Sequence, residues 1–190
     1  MIRSGLSAAI SDAKHHLSVF AFARLPLLIY LGTKLDDTVA TDVYQRHRVS
    51  DSWKWPDLDA ELAFETDHPD PGTGDEAVVI LNISGSIQQN ELPPDLQQLP
   101  RFLVTTATTP SPDVIKGPRV LAAFDHECRE LLAEIERTHK HVRRLHVFPA
   151  MPLSAGVTFG QVLDPDVHPA IAIYDRTPDG YVLALEVGNR

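Results

Sequence analysis

Hydrophobic and polar positions follow different periods along the chain, and each period predicts one kind of element. Residues 78–84 and 102–107 are short, mostly apolar runs typical of buried strands. Residues 181–187 alternate after a Pro-Asp-Gly turn at 178–180, which predicts the last strand of a hairpin. Residues 120–138 show helical spacing and predict the best helix of the chain, with an apolar face made of Leu121, Phe124, Cys128, Leu131, Leu132 and Ile135.

One part of this pattern occurs twice. Moving residues 17–39 by 128 positions, without a gap, gives eight identities in 23 positions. Composition alone predicts about one or two, and the identical pairs include Gly32 with Gly160. Shared apolar patterning of any two strand–helix units is the alternative explanation. We favour the divergent duplication of one supersecondary unit.

Each copy of the repeat predicts a strand, a turn, a short helix and a second strand. These elements fall at residues 17–22, 23–26, 27–34 and about 40–46 in the first copy, and at 145–148, 149–152, 153–163 and 169–174 in the second. A proline at each helix start suits the first turn, and a turn of this kind leaves backbone N–H groups free, as in many anion sites. Residues 67–75 and 92–100 are predicted loops.

The two copies predict one α/β body, since no low-complexity linker separates them. Its halves are expected at about residues 1–100 and 101–190. Ligands of such folds bind at the carboxyl ends of parallel strands. We therefore expect a ligand cleft at that edge, between the halves.

Composition limits the class of protein and of ligand. The 190 residues are 43% hydrophobic and carry a formal charge of −9, which is ordinary for a globular chain and excludes global disorder. No apolar stretch reaches the length of a membrane span and no signal peptide is visible, so we expect a soluble, cytoplasmic protein with no membrane partner. Cys128 is the only cysteine, which excludes intramolecular disulfides. The acidic balance disfavours long nucleic acids but permits a small anion at a local basic cluster.

One basic cluster lies at residues 46–55, where cationic and indole side chains are interleaved. Guanidinium groups pair with phosphates and indoles stack on bases, so candidates for nucleotide binding there are Arg46, Arg48, Trp53, Lys54 and Trp55. The alternative is that the tryptophans belong to the core and the basic side chains are only solvated.

Two further segments present small residues or backbone donors at element ends. The turn into the second helix is expected to hold phosphate or a base edge through Met151, Pro152, Ser154 and Ala155, unless it is a plain helix cap. Ser84, Gly85 and Ser86 follow a buried strand, where small residues let a ligand approach the backbone. A turn without function is the alternative there.

Metal and catalytic patterns are weak. His126 with Cys128, and His139 with His141, are spaced by two residues and do not share a helix face. Asp164, Asp166 and His168 lie on a predicted loop. No nucleophile motif occurs, and we expect Cys128 to be a core residue. Residues 140–146 are predicted to be a solvated, basic helix end, with a phosphate from a neighbouring chain as the alternative partner.

Seven segments together resemble the SAVED domain, the cyclic-oligonucleotide sensor module of bacterial CBASS antiphage effectors, most closely the version fused behind an HNH nuclease. These segments are residues 18–29, 44–48, 53–55, 81–86, 145–154, 160–169 and 173–175. The family consists of two CARF-like, Rossmann-like halves in one polypeptide, in agreement with the duplication. Members carry an effector domain, whereas no HNH motif occurs here. We therefore expect the N-terminal effector domain to be absent from this chain.

The resemblance implies a ligand sensor that is not itself an enzyme and needs no cofactor. A cyclic dinucleotide is the favoured ligand and a trinucleotide the second choice. Its binding is expected to drive self-association and activate a linked nuclease, with DNA contacted only through that effector. Arg24 and Tyr174, in the resembling segments, complete the candidate site. The alternatives are a phosphodiesterase using His47 or His168, and a metal-dependent hydrolase using Asp164, Asp166 and His168.

Overall fold

The computed structural model describes residues 16–35, 39–68 and 74–188, and it confirms the predicted α/β class. The elements of these residues are β1 Leu17–Val19, α1 Leu25–Gly32, β2 Thr41–Val43, β3 Phe64–Asp67, β4 Glu76–Asn82, β5 Arg101–Thr106, α2 Pro118–Thr138, β6 Arg144–Ala150, α3 Leu153–Val162, β7 Ala170–Thr177 and β8 Gly180–Val187. One 3-10 turn, Gln89–Glu91, lies between β4 and β5.

The strands form a small parallel sheet and a larger mixed one. β1 pairs with β2, and α1 connects them. The larger sheet has the order β3-β5-β4-β6-β7-β8, with β5, β4, β6 and β7 mutually parallel and both edge strands antiparallel. Each copy of the repeat is therefore a β-α-β unit, as predicted. The larger sheet takes strands from both sides of residue 100, so that boundary does not separate two sheets.

The core lies mainly on one face of the larger sheet, where the helices pack. α2 buries all six side chains of its predicted apolar face, and Cys128 is completely buried. The other face packs Ile80, Phe148 and Tyr174 against Ile87, Leu92 and Leu96 of the segment between β4 and β5. Because β4 is covered on both faces, nearly all its side chains are buried, which explains its apolar run.

Several predicted boundaries shift because pairing partners decide where a strand ends. β1 stops at Val19, since only residues 17–19 pair with β2. β6 continues through Pro149, although the sequence pattern predicts a turn from this residue onwards. Its ladder to β7 ends at Val147, so the missing N–H of Pro149 interrupts no bond there.

Two other expectations for the chain need correction. The basic stretch 140–146 is not a helix end, because α2 ends at Thr138 and Arg144 and His146 lie in β6. Strand β3 lies within a segment for which no strand was predicted, and it adds the antiparallel edge beside β5. Of the predicted loop 67–75, residues 69–73 lie outside the described residues.

Helices α1 and α3 pack together through two glycines that are aligned in the repeat. A Cβ atom added to Gly160 would lie 2.0 Å from the carbonyl oxygen of Ile29, and one added to Gly32 would lie 2.1 Å from that of Val157. Ile29 and Val157 are themselves aligned by the 128-residue shift. The contact is thus reciprocal, which is consistent with a pseudo-twofold relation between the β-α-β units.

We predict that Gly160→Ala lowers the free energy of unfolding by at least about 2 kcal/mol, because the added methyl group forces the helix backbones apart. Gly74→Ala is the control, since no atom lies within 4 Å of its added Cβ. Urea unfolding of both variants measures the difference. Equal stability of the two would contradict the close helix contact.

Candidate ligand-binding groove

A groove of about 510 Å³ lies at the edge of the fold where β2, β4 and β6 end, which is the edge predicted for a ligand. Its lining residues are Phe22, Ala23, Gln45, Arg46, Arg48, Asp51, Ser84, Pro112, Met151, Pro152 and Leu153. Ala23 and Met151 are aligned in the repeat, and each lies just before the helix of its own unit. The groove therefore lies between two equivalent strand-to-helix junctions.

Gln45 connects the end of β2 to the start of α3. Its buried side-chain oxygen accepts hydrogen bonds from the backbone N–H of Ser154 at 3.1 Å and from its hydroxyl at 2.9 Å. Its amide nitrogen donates to the carbonyl oxygen of Arg46 at 2.8 Å. Gln45 thus caps α3 from the other β-α-β unit and holds the backbone of Arg46 at the groove.

The start of α3 contributes less to the groove than expected. Met151 and Pro152 line it, but Ser154 and Ala155 do not. The N–H group of Ser154 is already bonded to Gln45, and Ala155 is completely buried in α3. In this structure Ser154 and Ala155 hold the start of α3 in place and do not line the groove.

The short segment 46–52, which follows β2, carries the groove's charged residues. Backbone bonds between His47 and Ser52, at 2.8 and 3.4 Å, close the loop 47–52. Arg46 forms an ion pair with Asp51, and its guanidinium carbon lies 5.8 Å from the ring centre of Phe22. Arg48 is exposed, and no hydrogen bond or ion pair joins its side chain to the rest of the described chain.

The tryptophans of the basic cluster pack beside this loop rather than in the groove. Phe20 stacks on Tyr44 with ring centres 4.5 Å apart, and Trp53 meets Phe20 edge-on at 5.5 Å. Trp55 lies 6.4 Å from Tyr44 and 5.4 Å from His47. These five rings form an aromatic cluster in which both indoles are half-buried. Lys54, between the indoles, is exposed and does not line the groove.

Arg24 and Tyr174 also lie outside the lining. Arg24, at the start of α1, donates to the Asp175 carboxylate and, at 2.8 Å, to the carbonyl oxygen of Arg176. The carboxylate raises the pKa of Arg24. Tyr174 lies in the core on the helix-free face, stacked on Phe148 at 4.4 Å, and its burial raises its pKa.

Of the three ligand-binding residues predicted after β4, one lines the groove. Ser84 lines the groove, whereas Gly85 and Ser86 do not. A Cβ atom added to Gly85 would have open space around it, so no close backbone approach explains this glycine. The three residues nevertheless follow the carboxyl end of β4, as predicted.

The residues of the two enzymatic alternatives are engaged elsewhere. His47 is buried against Trp55, and this burial lowers its pKa. His168 accepts a hydrogen bond from the backbone N–H of Asp164 at 2.9 Å, and its other ring nitrogen lies 3.3 Å from Glu136. Over residues 16–35, 39–68 and 74–188, no group of three or more His, Cys, Asp and Glu side chains is placed to hold a metal ion.

The prediction missed six residues of the lining: Phe22, Ala23, Gln45, Asp51, Pro112 and Leu153. Phe22 lies in a segment that carries the family resemblance, and Gln45 and Asp51 flank predicted basic residues. These three residues could therefore have been identified from their positions in the sequence. Nothing in the sequence around Pro112 pointed to the groove.

A family profile matches nearly the whole chain. The profile of the family described as "SMODS-associated and fused to various effectors sensor domain" (SAVED) matches residues 2–187. No curated protein matches the chain by sequence. In the part of the chain that the structure covers, no helix is long and apolar enough to cross a membrane.

Solved structures share the fold. The chain superposes on the Cap4 SAVED/CARF-domain receptor of Acinetobacter baumannii with the cyclic trinucleotide 2′3′3′-cAAA, and on the same receptor with 3′3′3′-cAAA, each with a TM-score of 0.75 and 17% identity. Its TM-score to the Moraxella osloensis Cap4 receptor is 0.69, at 18% identity. These alignments cover 99%, 99% and 98% of this chain but only 42%, 43% and 41% of the receptors. The likeness shows the SAVED/CARF fold, over about two fifths of the receptors' length.

We predict that Gln45→Leu lowers the free energy of unfolding by about 2–4 kcal/mol, because it leaves the buried N–H and hydroxyl of Ser154 without their acceptor. Gln98→Leu, at an exposed position, is the control and is expected to change stability by less than about 0.5 kcal/mol. Urea unfolding measures both. An equal effect of the two variants would show that the cap of α3 contributes no stability.

Proposed function

We propose that this chain, which belongs to the SAVED family of sensor domains, binds a cyclic oligonucleotide in the groove between its two strand-to-helix junctions. The observation that carries the proposal is that Arg46, Arg48 and the Met151–Pro152 turn line one groove. Guanidinium groups are the side chains best suited to phosphate, and backbone at strand ends can approach a ligand closely.

The chain's acidity is compatible with this ligand because the groove differs from the rest of the surface. The protein's formal charge is −9, whereas the groove lining holds two arginines and one carboxylate. At physiological salt, the repulsion between the ligand's phosphates and acidic side chains elsewhere on the surface is screened over about 8–10 Å. A compact polyanion therefore experiences mainly the local cations.

The arginines of the groove come from only one of the two β-α-β units, which indicates the orientation of the ligand. Arg176, aligned with Arg46 in the repeat with a two-residue slip, forms an ion pair with Glu91 at 2.7 Å and lies outside the lining. The phosphates are therefore proposed to face Arg46 and Arg48. Phe22, 75% exposed in the groove, offers a ring face to a base, and the aromatic cluster adjoins it.

The ligand is proposed to have two or three nucleotides. The sequence resemblance favours the dinucleotide, whereas the Acinetobacter baumannii receptor of similar fold holds either of two cyclic trinucleotides. A groove of about 510 Å³ that is open to solvent leaves part of either ligand uncovered. A second copy of the chain is proposed to cover the rest, so that occupancy favours association between chains.

The association is proposed to activate a nuclease linked to the sensor in antiviral defence. The family is described as fused to various effectors, and the sequence resemblance favours an HNH nuclease as that effector. The chain itself is proposed to bind without catalysis, in the cytoplasm. A chain that only binds returns its ligand intact, whereas a phosphodiesterase would degrade it.

We predict that the purified chain binds at least one member of a panel of cyclic di-, tri- and tetranucleotides, including 2′3′3′-cAAA and 3′3′3′-cAAA, and returns it intact. Calorimetry measures affinity, mass spectrometry examines the recovered ligand, and light scattering compares the protein's mass with and without saturating ligand. We expect the mass to rise with ligand.

Each readout addresses one part of the proposal. Lack of binding to every panel member would contradict the ligand class. Multiple-turnover loss of the ligand would favour the phosphodiesterase. Binding with an unchanged monomer mass at micromolar protein would contradict ligand-driven association of this chain.

We predict that Arg46→Ala and Arg48→Ala each weaken binding by about 1.5–3 kcal/mol, the cost of losing a charge-assisted hydrogen bond to phosphate. Arg119→Ala is the control, since this arginine is exposed and ion-paired with Asp59 but lies on α2, outside the groove. Calorimetry with the tightest panel member compares the three folded variants. Wild-type affinity in both groove variants would place the ligand elsewhere.

A further inference from the structure

The ion pair between Arg46 and Asp51 occupies the group that the proposed ligand needs. Both residues line the groove, and a carboxylate oxygen of Asp51 contacts a terminal nitrogen of the Arg46 guanidinium. Carboxylates and phosphates bind guanidinium groups through the same N–H donors. A phosphate that approaches Arg46 therefore meets an acceptor already in place.

The backbone of the loop 47–52 holds Asp51 in this position. The His47–Ser52 bridge closes the loop, and Asp51 has a φ of +48°. Aspartate and asparagine adopt this left-handed conformation more readily than most residues. The carboxylate is thus directed to Arg46 by a short local loop.

Asp51 also lowers the charge of the groove. It is the only acidic residue of the described lining, beside two arginines, so the formal charge there is +1. Without the carboxylate the charge would be +2. Since the side chain of Asp51 is 75% exposed, the ion pair itself is weak, and a ligand phosphate can displace it.

We propose that Asp51 is an internal competitor of the ligand: its carboxylate occupies Arg46 in the free protein, a ligand phosphate replaces it, and this exchange sets the affinity of the site. The inference rests on the proposed function. Arg46 and Arg48 are proposed to provide affinity, and Asp51 is a further residue, which limits it.

Asp51→Asn tests the competition, because asparagine keeps the shape and the backbone preference of the loop but removes the charge. We expect the variant to bind the tightest panel member about three- to tenfold more strongly than wild type, with a steeper loss of affinity as salt increases. Asp59→Asn is the matched control. Its carboxylate is 83% exposed and lies 3.4 Å from Arg119, outside the groove.

A double variant separates competition for Arg46 from a general effect of charge. In an Arg46→Gln background, Asp51→Asn should improve affinity less than twofold, because no guanidinium remains to be released. The full gain in that background would overturn the competition. Thermal unfolding of each variant verifies that the comparison is between folded proteins.

The outcomes also distinguish this inference from the proposed function. Binding by wild type with no gain in Asp51→Asn overturns the inference alone. Absence of binding by both proteins, to every panel member, overturns the proposed function and the inference with it. Equal gains in Asp51→Asn and Asp59→Asn would show that only net charge matters, and would also overturn the competition.

Discussion

The close contact of α1 with α3 is the constraint on which the groove depends. Backbone atoms of the two helices approach so closely at Gly32 and Gly160 that a methyl group on either glycine would overlap a carbonyl oxygen. The helices begin at the two junctions that flank the groove. A wider helix contact would therefore separate Ala23 from Met151 and change the width of the site.

The junctions are connected crosswise by polar groups as well as by the helices. Gln45, after β2, holds the start of α3, and Asp175, in β7, holds Arg24 at the start of α1. Each strand end thus contacts the helix of the other β-α-β unit. Since Gln45 is buried and Arg24 is exposed, the first connection contributes more to stability than the second.

Function in this fold is proposed to arise from local charge rather than from the charge of the whole protein. The groove combines two arginines with a strand-to-helix junction inside an acidic chain. Its two arginines differ, because Arg46 is paired with Asp51 and contacts Phe22 whereas Arg48 is exposed to solvent. A ligand would therefore meet Arg48 freely and would have to replace the carboxylate at Arg46.

The sequence by itself determined the features that depend on the local period of apolar residues and on the repeat. The sequence predicted the apolar face of α2, the buried run of β4 and the two β-α-β units. Such features can be recognised because core-facing residues recur with the period of their helix or strand. Tertiary structure alone decided which candidates reach the groove. Ser154 bonds Gln45, 109 residues away, and Trp55 packs in the aromatic cluster, because such choices depend on partners that are distant in sequence.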